Sequence, residues 1–168
     1  MRARILGCAL FLIFLLAPWL PFAATLPGCT RLELTEVGTG RKIFSADLQD
    51  GEQVVLTWNN SLFGLVVTEV FESQNGTLLL TEVTFAAPQG STPPTVTSTD
   101  LDDLYHTGGP FCAKGLAKPF QQVVYRVAEI GEPKMKIRDQ VVEFKKEVGF
   151  GGGIILTAGR IASLSCRQ

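Results

Sequence analysis

The dipeptide Asn75-Gly76 constrains this chain more than any other local feature, because it separates two long runs of strand-forming residues. Residues 63–73 and 77–85 are rich in Val, Leu, Phe and Thr. Both central residues of a two-residue hairpin loop need positive φ, and Asn-Gly adopts such angles readily. The sequence therefore predicts an antiparallel hairpin in which the residues on either side of the dipeptide pair symmetrically.

That symmetrical register places two carboxylates side by side, because Glu69 then lies directly opposite Glu82. Like charges opposite each other destabilise a sheet, and close carboxylates split their titration. A shared proton, a bound cation or cationic ligand, or simple exposure to solvent would offset the repulsion. Arg126 and Lys114 are candidate cationic partners. The pair is thus either a binding site for a cation or protonated ligand, or a neutralised surface pair.

Short runs of strand-forming residues separated by turn residues follow one another along the rest of the chain. They occupy residues 31–37, 42–48, 53–58, 120–128, 134–138, 141–146, 154–157 and 161–164. This spacing is typical of an all-β domain, and 17 Gly and 9 Pro supply the turns. We predict one β-rich domain over residues 29–168, folded as a single antiparallel sandwich or small barrel. Residues 86–99 are expected to form a long loop.

The N-terminus has the layout of an export signal. Arg2 and Arg4 precede an uninterrupted apolar run over residues 5–17, which is typical of a secretory signal. The positive charges are expected to stay on the cytoplasmic side while the rest crosses the membrane. We therefore predict that residues 1–28 are a signal peptide or membrane anchor. The β-rich domain would be periplasmic or lie on the outer face of the cytoplasmic membrane.

The four cysteines allow two arrangements after export. Cys112 and Cys166 lie in the body of the domain and would either form a disulfide in an oxidising compartment or stay as buried thiols. Cys29 follows Leu26-Pro27-Gly28, which resembles a lipoprotein box, so Cys29 is a candidate for lipidation. Lipidation of Cys29 would leave an even number of exported thiols.

Asn60 and Ser61 follow Trp58 where the third predicted strand ends. Their amide and hydroxyl groups are candidates for contact with a ligand or partner. Asn and Ser are also common turn residues, so the same positions fit a corner between two strands.

Composition and motifs argue against several kinds of function. The net charge is −1, with 15 basic and 16 acidic residues, which does not favour binding to nucleic acid. His106 is the single histidine, so a histidine-based metal site is not expected. No Ser lies in a Gly-x-Ser-x-Gly motif. We expect no cofactor, no metal and no catalytic residues.

The order of these pieces resembles a known family. After the apolar leader come Trp-Asn-Asn-Ser-Leu at residues 58–62, Glu-Val-Phe at 69–71 and Leu-Leu-Leu-Thr-Glu at 78–82. In this order the chain resembles the uncharacterised bacterial domain-of-unknown-function family 1850 over roughly residues 31–146. The chain departs from the family pattern at Asn60, where the family has His, and at residues 88–90, where the family has Gly-Ala-Gly.

The resemblance implies a function in the cell envelope. Members of the family are often encoded beside TAXI-type TRAP transporters, which import organic acids. The resemblance therefore implies a non-catalytic accessory or binding protein near such a transporter or its solute-binding protein, with Glu69, Glu82 and Ser61 on motif positions. Two other hypotheses remain open from the sequence. One is an envelope hydrolase that uses the two glutamates as acid and base, and the other is a purely structural envelope protein.

Overall fold

The chain folds into two packed β-sheets, as predicted for an all-β sandwich. A computed structural model describes residues 28–97, 108–161 and 166. The predicted leader, His106 and the last predicted strand at 161–164 lie wholly or largely outside the described residues, so the predictions for them stay untested. Within the described residues no helix has the length and hydrophobicity needed to span a bilayer.

Within the described residues the two sheets have four and seven strands, and the smaller sheet has the spatial order β2-β1-β11-β8. Its strands are β1 (Cys29–Glu36), β2 (Lys42–Gln49), β8 (Gln122–Arg126) and β11 (Gly153–Ile161). All neighbouring pairs in this sheet are antiparallel. Its edges are β2 and β8, so the sheet does not close into a barrel.

The larger sheet has seven strands in the order β10-β9-β3-β4-β5-β7-β6. Its strands are β3 (Gln53–Asn60), β4 (Leu65–Gln74), β5 (Thr77–Ala86), β6 (Thr95–Val96), β7 (Phe111–Phe120), β9 (Lys134–Ile137) and β10 (Gln140–Glu143). The β6–β7 pair is parallel and the others are antiparallel. A short helix, α1 (Phe144–Val148), follows β10.

The hairpin at Asn75-Gly76 is confirmed. Both residues have positive φ, 51° and 85°, as a two-residue loop requires. The predicted symmetrical register holds as far as Phe71, which pairs with Leu80. Beyond that pair the register shifts by one residue, because Thr81 is an extra residue in β5. The hairpin therefore contains a β-bulge that the sequence reasoning did not anticipate.

The bulge overturns the predicted carboxylate pair. Glu69 pairs with Val83, and Glu82 pairs with Val70. Since Glu69 and Val70 are consecutive in β4, their side chains point to opposite faces of the sheet. Glu69 lies on the inner face with the buried Val83, and Glu82 lies on the outer face. The prediction that the two glutamates lie side by side is wrong.

The core lies between the inner faces of the two sheets. Alternate residues of each strand point inward, as expected for sheets with one solvated face. The fully buried side chains include Leu32 and Leu34 of β1, Val54 and Leu56 of β3, and Ile154 and Leu156 of β11. A second cluster extends along β5 and β7, where the rings of Phe85 and Phe111 stack with centroids 4.7 Å apart.

The disulfide joins different cysteines from those predicted. Cys29 bonds to Cys166 with their Cα atoms 6.2 Å apart, a spacing that a disulfide requires. Cys112 is a buried free thiol in β7, so of the two alternatives the Cys112–Cys166 bond is wrong and the buried thiol is correct for Cys112. Lipidation of Cys29 would use the same sulfur atom, so it and this disulfide exclude each other.

Candidate functional site: a cavity at one end of the sandwich

A cavity of about 340 Å³ opens at the end of the sandwich where β3 turns into β4 and where β8 leads into β9. Small-molecule sites in proteins span roughly 300–1,000 Å³, so this volume suits a small ligand. Its lining is mainly apolar and comes from both sheets: Leu56, Trp58, Asn59, Asn60, Ser61, Leu62, Glu69, Tyr125, Arg126, Ala128, Gly131 and Pro133.

Glu69 is an acidic side chain on the inner face of β4. Its neighbours across the sheet are Leu56 of β3 and Val83 of β5, both buried. Burial raises the pKa of Glu69 above its usual value, and a hydrogen bond from the Trp58 side chain partly opposes the rise. A carboxylate in an apolar site loses hydration that these neighbours do not replace. Glu69 is therefore the electrostatic centre of the cavity.

Two aromatic residues face Glu69 from different sheets. Trp58 comes from β3 and packs edge-on against Phe85, with ring centroids 6.3 Å apart. Tyr125 comes from β8 of the smaller sheet and packs against Phe144 of α1 at 5.7 Å. These contacts hold the aromatic walls of the cavity in place, since each ring is packed on a residue of the core.

The Tyr125 hydroxyl is buried and has no hydrogen-bond partner among the described residues. Burial raises the pKa of Tyr125, and the nearby Glu69 charge raises it further. Buried hydroxyls in native proteins are usually paired, so an unpaired one marks a position where a ligand or water can bind. Tyr125 thus adds a neutral donor and acceptor beside the carboxylate.

The rim of the cavity includes the two polar residues singled out from the sequence. The Asn60 side-chain oxygen accepts hydrogen bonds from the backbone N–H groups of Leu62 and Phe63, at 3.0 and 3.2 Å. These hydrogen bonds make Asn60 part of a corner between β3 and β4, which was the alternative to a ligand contact in the sequence analysis, and they stabilise the turn. Ser61 lines the same rim and is exposed. Both residues therefore border the site that contains Glu69.

The opposite rim is held by backbone contacts to the loop after β8. The Asn59 N–H donates to the Gly131 carbonyl at 2.7 Å, and its side-chain amide donates to the Ile130 carbonyl at 3.3 Å. Leu62 and Ile130 are exposed by 79% and 61% at this end of the molecule. Leu62 lines the cavity, so the mouth has an exposed apolar side chain on one side, as expected for a surface that admits an apolar molecule.

Glu82 has no part in this cavity. It forms an ion pair with Lys114 at 3.4 Å on the outer face of the larger sheet, which is one of the neutralising partners considered from the sequence. Thr84 donates a hydrogen bond to it at 3.2 Å, and the Cys112 thiol lies 3.6 Å away. The Glu82 charge is satisfied by these partners, so Glu82 is an ordinary paired surface residue.

Tyr125 is the residue that the sequence reasoning missed. A partial signal was present in the sequence, because Tyr125 and Val127 flank the charged Arg126, although the apolar Val124 interrupts the alternation. The alternation places the Tyr125 ring between the sheets, but only the packed structure shows that it faces Glu69. Among the described residues no group of three or more His, Cys, Asp or Glu side chains converges on a position for a metal ion.

Comparisons with protein-family models, with curated proteins and with solved structures find no match to this chain. The resemblance to the domain-of-unknown-function family 1850 therefore stays a prediction.

Proposed function

We propose that this chain is a non-catalytic binding protein whose end cavity holds a small organic molecule with an apolar body and a polar group. The observation that carries the proposal is the Glu69 carboxylate and the unpartnered Tyr125 hydroxyl inside a cavity of about 340 Å³ with mainly apolar walls. An apolar pocket with a few convergent polar groups and a perturbed pKa is the usual form of a ligand site.

We place this binding protein outside the cytoplasm, released or held at the membrane by residues 1–28. The apolar run at the N-terminus supports export, and the Cys29–Cys166 disulfide is typical of an oxidising compartment. An accessory role beside a TAXI-type TRAP transporter or its solute-binding protein follows from the family resemblance alone. In that role the cavity would hold a solute or a group of the partner protein.

The two alternative functions have less support. A hydrolase with Glu69 and Glu82 as acid and base would need both carboxylates at one site, and they lie on opposite faces of the sheet. In a purely structural protein a desolvated carboxylate beside an unpaired hydroxyl would lower the stability of the fold, and no ligand would offset that loss. In a binding protein, a ligand that pairs with the Glu69 carboxylate and the Tyr125 hydroxyl would offset this loss of stability.

Titration of the full-length chain with N-phenyl-1-naphthylamine tests the proposal. This probe is apolar, fits a cavity of this volume and fluoresces more strongly when it leaves water. We expect saturable enhancement with one probe bound per chain. Ala128 lines the cavity and is exposed, so Ala128→Trp should block the mouth without disturbing the core and should abolish saturable binding.

The matched control is Ala117→Trp. Ala117 is an exposed residue of β7 that does not line the cavity, so the same chemical change there should leave binding intact. Equal binding by the two variants, or no saturable binding by the unchanged chain, would rule out this cavity as the binding site.

A further inference from the structure

We infer that the ligand of this cavity carries a protonated amine, whose ammonium group lies against the Glu69 carboxylate in the part of the cavity that Trp58 and Tyr125 line. This inference rests on the proposed function, because it assigns a chemical class to the molecule that the cavity holds. The class follows from three features of the cavity: an unneutralised carboxylate, aromatic walls and a free hydroxyl.

The first feature is that Glu69 has no cationic partner among the described residues. Other carboxylates of the domain do have one: Glu82 pairs with Lys114 at 3.4 Å, and Glu52 pairs with Arg138 at 2.8 Å. Arg126 lines the same cavity but is exposed and forms no ion pair with Glu69. A cationic ligand group would supply the missing counter-charge, and the ion pair would be stronger than one in bulk water because Glu69 is partly buried.

The second feature is the aromatic surface beside the carboxylate. The faces of Trp and Tyr rings carry partial negative charge and attract ammonium groups, and Trp does so most strongly. Trp58 and Tyr125 come from opposite sheets and are both fixed by ring contacts to the core. Trp58 donates its own N–H to Glu69, so the ammonium group would contact a ring face beside the carboxylate and would not displace the indole.

The third feature is the Tyr125 hydroxyl, which is buried and unpartnered among the described residues. A primary ammonium group has three N–H donors and no acceptor. In the proposed complex one donor pairs with the Glu69 carboxylate and a second is directed at the Tyr125 oxygen, which has no partner among the described residues. A carboxylate ligand would instead be repelled by ionised Glu69, and a neutral alcohol would leave the negative charge without a counter-charge.

The charge of Glu69 makes binding depend on pH. The ionisable groups that line the cavity with Glu69 are Tyr125 and Arg126. Tyr125 stays neutral because its pKa is raised, and an arginine stays protonated. Glu69 is therefore the lining group whose charge changes with pH in the acidic range, and burial raises its pKa above the usual value of 4.5. Affinity for an ammonium ion should rise with pH through the pKa of Glu69 and then level off.

Isothermal titration calorimetry of the full-length chain with three probes of matched shape tests the inference. The probes are benzylamine, benzyl alcohol and benzoate, which are cationic, neutral and anionic at neutral pH. We expect benzylamine to bind about tenfold more tightly than either of the others, as an ion pair with an added cation–π contact allows. Glu69→Gln should remove the preference, and Glu82→Gln, on the outer face, should keep it.

A pH series on the unchanged chain gives a second test that needs no variant. Benzylamine affinity should fall as the pH is lowered towards 4.5, while benzyl alcohol affinity stays constant. If benzyl alcohol or benzoate binds as tightly as benzylamine, or if Glu69→Gln keeps the preference, the assignment to amines is wrong and the proposed binding function stands. The assignment is equally wrong if N-phenyl-1-naphthylamine binds and none of the three probes does. If all four compounds fail to bind, the proposed binding function is itself wrong.

Discussion

Glu69 and Glu82 have the same side chain and lie on adjacent strands, but their surroundings give them different properties. Glu82 is on the outer face with Lys114 at 3.4 Å. Glu69 is on the inner face, where burial raises its pKa. The sequence singled out both residues for one site, and the structure keeps only Glu69 in the cavity. Asn60 and Ser61 were also predicted from the sequence, since turn residues after a strand are a local signal.

At the residue scale we predict that Glu69→Gln stabilises the chain at neutral pH. The pKa of Glu69 is higher in the folded state than the usual 4.5, so the folded state holds this proton more tightly than the unfolded state does. Stability from this group is therefore greatest below pH 4.5 and is lost as pH rises through the folded-state pKa. The glutamine side chain has nearly the same shape and no charge to desolvate.

Urea denaturation of the unchanged chain and the Glu69→Gln variant, from pH 4 upward in ~1-unit steps, measures this difference. The stability advantage of the Glu69→Gln variant should be absent below pH 4.5 and should grow as the pH rises. Glu82→Gln is the control, because it removes a partner of Lys114 and should give no advantage at any pH. If Glu69→Gln is less stable than the unchanged chain at neutral pH, ionised Glu69 is not desolvated.

At the element scale the hairpin shows why register could not be read from the turn alone. Leu78 and Leu80 point inward, and so do Val83 and Phe85. Leu80 and Val83 are three residues apart, and residues an odd number apart point to opposite faces of a regular strand. Without a bulge, either Leu78 and Leu80 or Val83 and Phe85 would therefore point outward. Burying two such side chains is worth roughly 3–6 kcal/mol, against about 1 kcal/mol for one interrupted ladder bond. The bulge at Thr81 is therefore the more stable arrangement.

We predict that β5 tolerates deletion of Thr81 far better than deletion of Thr84. Thr81 is the extra residue in the pairing of β5 with β4, whereas in the pairing with β7 it lies opposite residues 115–117, which form the irregularity of β7. Its removal therefore leaves Glu82 outside and Val83 inside. Its loss should cost about 1 kcal/mol, because its hydroxyl donates to the Val70 carbonyl at 3.1 Å. Deletion of Thr84 would turn Val83 or Phe85 outward and should cost on the order of 3 kcal/mol or more.

Urea denaturation followed by circular dichroism compares the two deletions, which remove the same residue type from the same strand. Equal losses of stability in the two variants would mean that Thr81 is not the extra residue of the hairpin.

The bounds of the other strands were predicted from the sequence with different accuracy. The strands around Asn75-Gly76 were predicted within two residues at each end, because their hydrophobic runs are long. β7 (Phe111–Phe120) was not predicted, because Gly115, Lys118 and Pro119 are not typical strand residues and interrupt the hydrophobic alternation. Pairing with β5 nevertheless stabilises this strand. Residues 141–146 were predicted as a strand, but the strand ends at Glu143 and α1 follows. Phe144 is fully buried there, so tertiary packing overrides the local preference.

At the scale of the whole molecule the sandwich has two different ends. One end carries the Cys29–Cys166 disulfide and the Asn75-Gly76 turn, where the Gly76 N–H donates to the Thr30 hydroxyl at 2.9 Å. The other end carries the cavity. β1 has eight residues, so the two ends are roughly 25 Å apart. The fold class followed from composition and strand spacing, but the cavity depends on which side chains of two sheets meet.

The described chain enters β1 at Cys29, at the disulfide end, so the cavity lies at the opposite end of the sandwich from this point. A domain held at a membrane through its N-terminus, as we propose, would therefore present the cavity away from the attachment point.

Amide chemical-shift mapping of the ¹⁵N-labelled full-length chain, titrated with N-phenyl-1-naphthylamine, tests the location of the site most directly. This location of the site predicts that shifts concentrate at the cavity end, in residues 58–62 and 125–131, and that Thr30 and Gly76 at the disulfide end stay unchanged. Shifts centred on the disulfide end or on the outer faces of the sheets, or no shifts at saturating probe, would contradict it.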